Sequence, residues 1–115
     1  MSNNEGGVKN DQDKPAMQYL TREFLEGAAL AQGFGAKKYG HWNFTNGISY
    51  TRLLAATMRH LTAFAAREDQ DPESKLSHLA HAAASLNMLM WTVQNRKDLD
   101  DRIPSPIERM KNVSR

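Results

Sequence analysis

The sequence predicts an all-α fold: a helical hairpin of two long helices, preceded by a short N-terminal helix and completing its core by oligomerisation. Three observations predict it. Apolar residues recur at helical spacing over residues 50–67 and again in a segment that ends near residue 94. The short acidic stretch Glu68-Asp69-Gln70-Asp71 joins these two patterns and makes them antiparallel neighbours. A chain of 115 residues with no cysteine encloses little core with so few elements.

The elements follow in order. Residues 1–14 carry almost nothing apolar and read as a disordered tail. Residues 15–97 form a single helical domain, and 98–115 form a charged C-terminal tail. Over residues 21–31, Phe24, Leu25, Ala28, Ala29 and Leu30 fit a short helix with Thr21 as its N-cap, ended by Gly33 and Gly35. Residues 36–49 read as a loop, with Ser49 capping the next helix. That second helix, 50–67, places Leu53, Leu54, Thr57, Met58, Leu61, Phe64 and Ala65 on one side. Arg52, Ala56, Arg59, His60, Ala63 and Arg67 lie on the other. Asp71-Pro72-Glu73 predicts the start of the third helix: an N-cap acid, a proline at the first helical position and an acid in the first turn. Its apolar face is Leu79, Ala82, Ala83, Leu86, Leu89, Met90 and Val93, with His78, His81 and Ser85 on a neighbouring side. Met88 and Trp91 fall off that stripe, which predicts that another copy covers them in a dimer with a four-helix core. Pro104 and Pro106 interrupt any long helix after that, and residues 107–113 have room for one further turn.

Composition excludes several functions. A net charge of +2 is too small for wholesale nucleic-acid binding, so no nucleic-acid partner is expected. The first twenty residues lack the apolar core of a signal peptide, and no apolar run approaches a membrane span, so a cytoplasmic protein is expected. Neither a GxxxxGK[ST] loop nor a GxGxxG loop occurs, and no nucleophile triad stands out.

Four constellations carry chemistry. Arg52 and Arg59 lie two helical turns apart with His60 beside them, and alanines between them leave room for a ligand. Guanidinium forks match phosphate oxygens; a solvated stripe with salt bridges to Glu68, Asp69 or Glu73 is the alternative. His78 and His81, with His60 near, suit phosphate or ribose, or satisfied hydrogen bonds; with Asp71 or Glu73 they could bind a transition metal. In the loop, Tyr39 and Trp42 offer faces for a base, Lys37 and Lys38 meet phosphates and Asn43 reads a base edge. Phe44 is assigned to the core. Asp69, Asp71 and Glu73 could hold Mg²⁺, or could only start a helix.

At these residues the chain resembles a known family. Lys14-Pro15, FGAKKYG with the Trp42-Asn43 pair, YTRLLAATMRHL, DPES and HLAHAAASLNML resemble the phage and bacterial dATP/dGTP diphosphohydrolase N-terminal domains, over residues 14–90. Those domains are similar to the all-α nucleoside triphosphate pyrophosphohydrolases of the MazG kind. The resemblance implies helical hairpins, dimers or tetramers, a purine nucleotide ligand and a phage setting inside an infected bacterial host. Where MazG-like enzymes hold Mg²⁺ with ExxE and ExxD pairs, this chain has His78-Leu-Ala-His81 on one helix and Arg52, Arg59 and His60 on the other. The expectation is therefore a protein that binds a phosphorylated purine nucleotide and sequesters a nucleotide-derived, antiphage-defence signal without turnover or cofactor. One alternative is a Mg²⁺-dependent hydrolase that converts dATP or dGTP to the monophosphate and pyrophosphate. A second is a structural or partner-inhibiting oligomer.

Overall fold

The computed structural model describes residues 5–104. They form three helices: α1 (Arg22–Tyr39), α2 (Tyr50–Ala65) and α3 (His78–Asn95). Short 3-10 turns lie at Met17–Tyr19, Asn43–Asn46 and Lys97–Leu99, and no strand occurs among the described residues. The expected all-α class is found, with one correction: the first helix is as long as the third.

α1 begins where expected, with the Thr21 hydroxyl accepting from the Phe24 N–H at 3.2 Å. It then runs through Gly33 and Gly35. An interior glycine costs about 1 kcal/mol relative to alanine, and tertiary packing of Gly27 and Ala31 against α3 keeps the helix whole. Lys37 and Lys38 lie in the last turn, where positive charge suits the helix dipole. The terminator is Gly40, at φ 102°, a backbone conformation that glycine adopts freely. The expected loop is therefore shorter by residues 36–39.

α2 ends at Ala65, and Arg67 turns the chain at φ 70°. Asp71-Pro72-Glu73 does not start a helix. The Asp71 carboxylate accepts from the N–H groups of Glu73 (3.0 Å) and Ser74 (2.9 Å), as an N-cap would, but Lys75 follows at φ 65° and breaks the turn. An isolated bridge between Gln70 and Ser77 closes this small loop. α3 starts only after Ser77, whose hydroxyl accepts from the Leu79 N–H at 3.0 Å. The capping chemistry was legible; whether a helix followed it was not.

α3 packs against both α1 and α2, which scarcely touch each other. Its buried residues are small or polar: His78, Ala80, Ala82, Ala83, Ala84, Ser85 and Thr92. Ala80 and Ala84 form a cluster with Ala31 of α1, and a Cβ built on Gly27 would stand 3.4 Å from the Ala80 Cβ. On the other side α2 contributes Tyr50, Leu53 and Thr57. Phe44 is buried as expected, edge-on to Trp91 at 5.5 Å. Trp91 thus packs within the chain, contrary to expectation.

The expected apolar faces are also corrected. Leu53 is 3% exposed, but Leu54, Met58, Leu61 and Phe64 of α2 are exposed, Met58 at 57%. On α3, Leu79, Leu86 and Met90 are exposed, Met90 at 71%. The interior is built from the alanine side of α3, and the large side chains face outward.

The first part of the expected C-terminal tail returns to the fold. Asp101 accepts from the Thr51 N–H at 2.9 Å and from the Thr51 hydroxyl at 2.5 Å. It thereby caps α2 in place of Ser49, which makes no cap bond. The turn expected over residues 107–113 lies outside the described residues.

The alanine packing predicts that Ala84→Leu forces α1 away from α3 and destabilises the protein by about 1–3 kcal/mol. Urea denaturation followed by circular dichroism checks this; an unchanged midpoint would show that the α1–α3 contact is not close-packed.

Candidate functional site: a cleft with an arginine wall and a histidine cluster

Because α1 and α2 lie on α3 without closing on each other, a cleft of about 1040 Å³ opens between them. Its walls are the C-terminal half of α1 with the following loop, and the Arg52 side of α2. His81, Ala84, Ser85 and Met88 of α3 also line it.

Ten of the expected site residues line this one cleft: Lys38, Tyr39, Trp42, Asn43, Arg52, Arg59, His60, His81, Asp71 and Glu73. Three do not. Lys37 is turned off the wall, since consecutive helical residues point 100° apart. Asp69 lies outside the lining, and His78 is buried behind His60.

Arg52 and Arg59 stand on the wall with Ala55 and Ala56 between them. Neither makes a hydrogen bond or ion pair with the described residues. Two of the three acids that could have neutralised them are engaged elsewhere. Lys38 Nζ donates to both Glu73 oxygens, at 2.9 and 3.1 Å. This bond raises the Lys38 pKa above its ordinary value. His78 Nε2 donates to Glu68 Oε2 at 2.8 Å. The salt-bridged stripe is therefore not what forms. Two guanidinium forks are left facing an open cleft.

Trp42, at the mouth, is 70% exposed and held at φ 59°, an uncommon conformation for a non-glycine residue. It leans on Phe44 at 5.9 Å, so one indole face is braced and the other is free to stack.

At the end nearest the connection the three histidines meet. His60 Nδ1 and His78 Nδ1 are 2.8 Å apart. With His78 Nε2 donating to Glu68, the tautomer that satisfies both bonds has His78 accepting at Nδ1 and His60 donating. His81 stacks on His60 at 4.7 Å, with its Nε2 2.6 Å from the Ser74 hydroxyl. Burial, then the neighbouring imidazoles, pushes the His60 pKa below its ordinary value, and burial does the same for His81. The Asp71 carboxyl is lowered chiefly by the Ser74 N–H, so it is ionised at neutral pH.

Asp69, Asp71 and Glu73 do not converge as an oxygen cage. Among the described residues the grouping that could hold an ion is His60, Asp71 and His78, whose ligand atoms lie within 4.8 Å of one another. Sequence reasoning named His60, His78 and Asp71 among the possible ligands of a transition metal, but it missed Glu68 as the partner of His78, because that contact depends on how the connection folds back. It also missed Gln32 and Asn87 on the cleft wall, for which the helical pattern gives no signal.

Fold and cleft together define an all-α protein with an arginine-lined pocket closed at one end by imidazoles. The family described as dATP/dGTP diphosphohydrolase, N-terminal, matches residues 4–102, and the chain belongs to that family. It is 38% identical over 96 residues to a dATP/dGTP diphosphohydrolase of Salmonella phage PMBT28, a match that covers 84% of this chain and 33% of that protein. The chain thus spans about a third of that relative's length. No solved structure matches it.

The histidine cluster predicts a pH dependence. A histidine whose pKa is lowered on folding binds fewer protons in the native state than in the unfolded one. Its stabilising contribution is therefore complete above the unfolded value of 6.5 and is lost as pH falls through the native value. Urea midpoints are expected to be higher at pH 7.5 than at pH of about 5.5, with His60 and His81 ring resonances titrating below 6.5. Ring titrations at or above the ordinary value would contradict the cluster as described.

Proposed function

We propose that the cleft binds a purine deoxynucleoside triphosphate and that this domain serves its hydrolysis to the monophosphate and pyrophosphate. The observation that supports this best is the pair of guanidiniums, Arg52 and Arg59, left unpaired by the described residues on an alanine-spaced wall of a cleft large enough for a nucleotide. The name of the phage relative supports the reaction and the substrate class.

In this reading Arg52 and Arg59 take the phosphate chain, and Lys38 joins them if it releases Glu73. Trp42 or Tyr39 stacks on the base and Asn43 meets its edge. His81 and Ser85 face the sugar or phosphates from the floor. Water attacks the α-phosphorus, the bond to the β-phosphate oxygen breaks, and pyrophosphate leaves. A divalent ion, when bound, would polarise the phosphate oxygens. Of the acids first considered for it, Asp71 is the best placed, since Glu73 is paired with Lys38 and Asp69 lies off the cleft.

A second reading, sequestration of a nucleotide-derived signal, rests on a specific observation. Asp71 gives one oxygen to its turn and Glu73 gives both to Lys38, so the cleft presents its cations with few free carboxylate oxygens. Incubating the protein with dATP, dGTP and cyclic dinucleotides, with and without divalent ions, separates the two. Monophosphate plus pyrophosphate supports the hydrolase. Intact ligand recovered after heat denaturation supports sequestration, and neither product would defeat both. A purely structural oligomer would give this last outcome.

We also propose that a second copy of the chain covers the outward Leu54, Met58 and Leu61 of α2, whose apolar heads a monomer would leave in water. This is the self-association that the small interior calls for. Sedimentation equilibrium at micromolar concentration is expected to give a dimer or higher species; a monomer would refute it.

On the nucleotide reading, Arg59→Ala is expected to weaken dATP or dGTP binding more than tenfold, corresponding to about 1.5–3 kcal/mol for charge-assisted bonds. Isothermal titration calorimetry reads this directly, and unchanged affinity in a folded variant would remove Arg59 from the site.

A further inference from the structure

We propose that His60, Asp71 and His78 form a binding site for a divalent transition-metal ion of the Zn²⁺ or Mn²⁺ class, at the histidine end of the cleft. The inference deepens the hydrolase reading, because it names the ion and the side chains that would hold it.

The geometry points to a metal in three ways. First, the three ligand atoms lie within 4.8 Å of one another and come from three separate places: α2, the connection and the start of α3. Two nitrogens on one zinc lie roughly 3.3 Å apart when each bond is about 2.0 Å. The His60 and His78 Nδ1 atoms, now 2.8 Å apart, would need to part by about half an ångström.

Second, the outer partners are those of a metal site. A ligating histidine commonly gives its other ring N–H to a carboxylate, which fixes the tautomer and aims the remaining lone pair. His78 does this through Nε2 to Glu68, leaving Nδ1 directed at His60. A core histidine pair needs one shared proton. It does not need a third imidazole stacked on it and two carboxylates at hand.

Third, the donor set selects the ion. Two imidazole nitrogens with one carboxylate suit Zn²⁺, Mn²⁺ and their neighbours, whereas Mg²⁺ prefers oxygen ligands. Both imidazoles are available as neutral ligands once His60 moves its proton to Nε2. Three protein ligands leave a coordination position open, as catalytic sites do. His60 and Asp71 line the cleft, so an ion held by them would border it.

The test uses the full, untagged chain and the metal alone. Isothermal titration calorimetry with Zn²⁺ is expected to give one site per chain that a hundredfold excess of Mg²⁺ does not block. Ring ¹⁵N resonances of His60 and His78 should shift on loading, and that of the cleft residue His41 should not. His60→Gln is expected to abolish binding. Should that variant fail to fold, Glu68→Gln decides, since Glu68 is half exposed and touches no other part of the cluster: a loss of roughly tenfold or more in affinity is expected. No uptake of Zn²⁺, uptake unchanged in folded His60→Gln, or unchanged affinity in Glu68→Gln would overturn the proposal. Nucleotide is absent throughout. Zn²⁺ binding without hydrolysis would therefore defeat only the hydrolase reading, and hydrolysis without Zn²⁺ binding would defeat only the metal site.

Discussion

The narrow packing of α3 is the constraint on which the rest of the structure depends. Its buried face is made of Ala80, Ala82, Ala83, Ala84 and Ser85, and such side chains let neighbouring helices approach closely. α1 and α2 each settle on this face instead of on each other. The gap left between them is the cleft, so the site follows from the choice of alanine along one helix. The same choice explains the exposed Met58 and Met90: a face already filled by alanines has no room for them. A chain that buries so little apolar area stands to gain more from association than a larger domain would.

The polar end of the hairpin has a different logic. His78 is almost fully buried, and a buried imidazole is tolerable only when both nitrogens are satisfied. Glu68 satisfies one and His60 the other. That network ties the end of α2 to the start of α3 across a connection that would otherwise be an exposed loop. It also forces three imidazoles into a place where a second proton is unwelcome, since each one protonated repels the others. His60 and His81 thus resist protonation, beside an ionised Asp71 and on the same cleft as two arginines that no described residue pairs.

The class of the fold and much of the cleft wall were legible in the sequence, because both depend on helical periodicity. Arg52, Ala56, Arg59 and His60 had to share a side once residues 50–65 were helical. What was not legible depended on contacts between distant parts of the chain. Gly33 and Gly35 read as a stop because local propensity disfavours them, yet packing of α1 on α3 carries the helix through both. Asp71-Pro72-Glu73 read as a helix start because its first turn has that chemistry, and only Lys75 at positive φ shows that the turn leads elsewhere. The apolar stripes of α2 and α3 were visible as helical repeats, but periodicity cannot say which side of a helix its own chain covers. Here the alanines won, since close approach of three helices buries backbone and small side chains that larger residues would hold apart.

The arrangement of charge sets what the cleft can do with a phosphate chain. Arg52 and Arg59 are seven residues apart, which places their Cα atoms about 10 Å apart along the helix axis at 1.5 Å per residue. On the proposed reading, two forks at that spacing would hold an extended polyanion at two points and so fix its direction along the wall. One end of that line runs to His60, the other toward Trp42 and the loop. A base stacked at the aromatic end would send the phosphates toward the histidines. The cleft is therefore polarised before any ligand enters, with aromatic rings toward one end and imidazoles at the other.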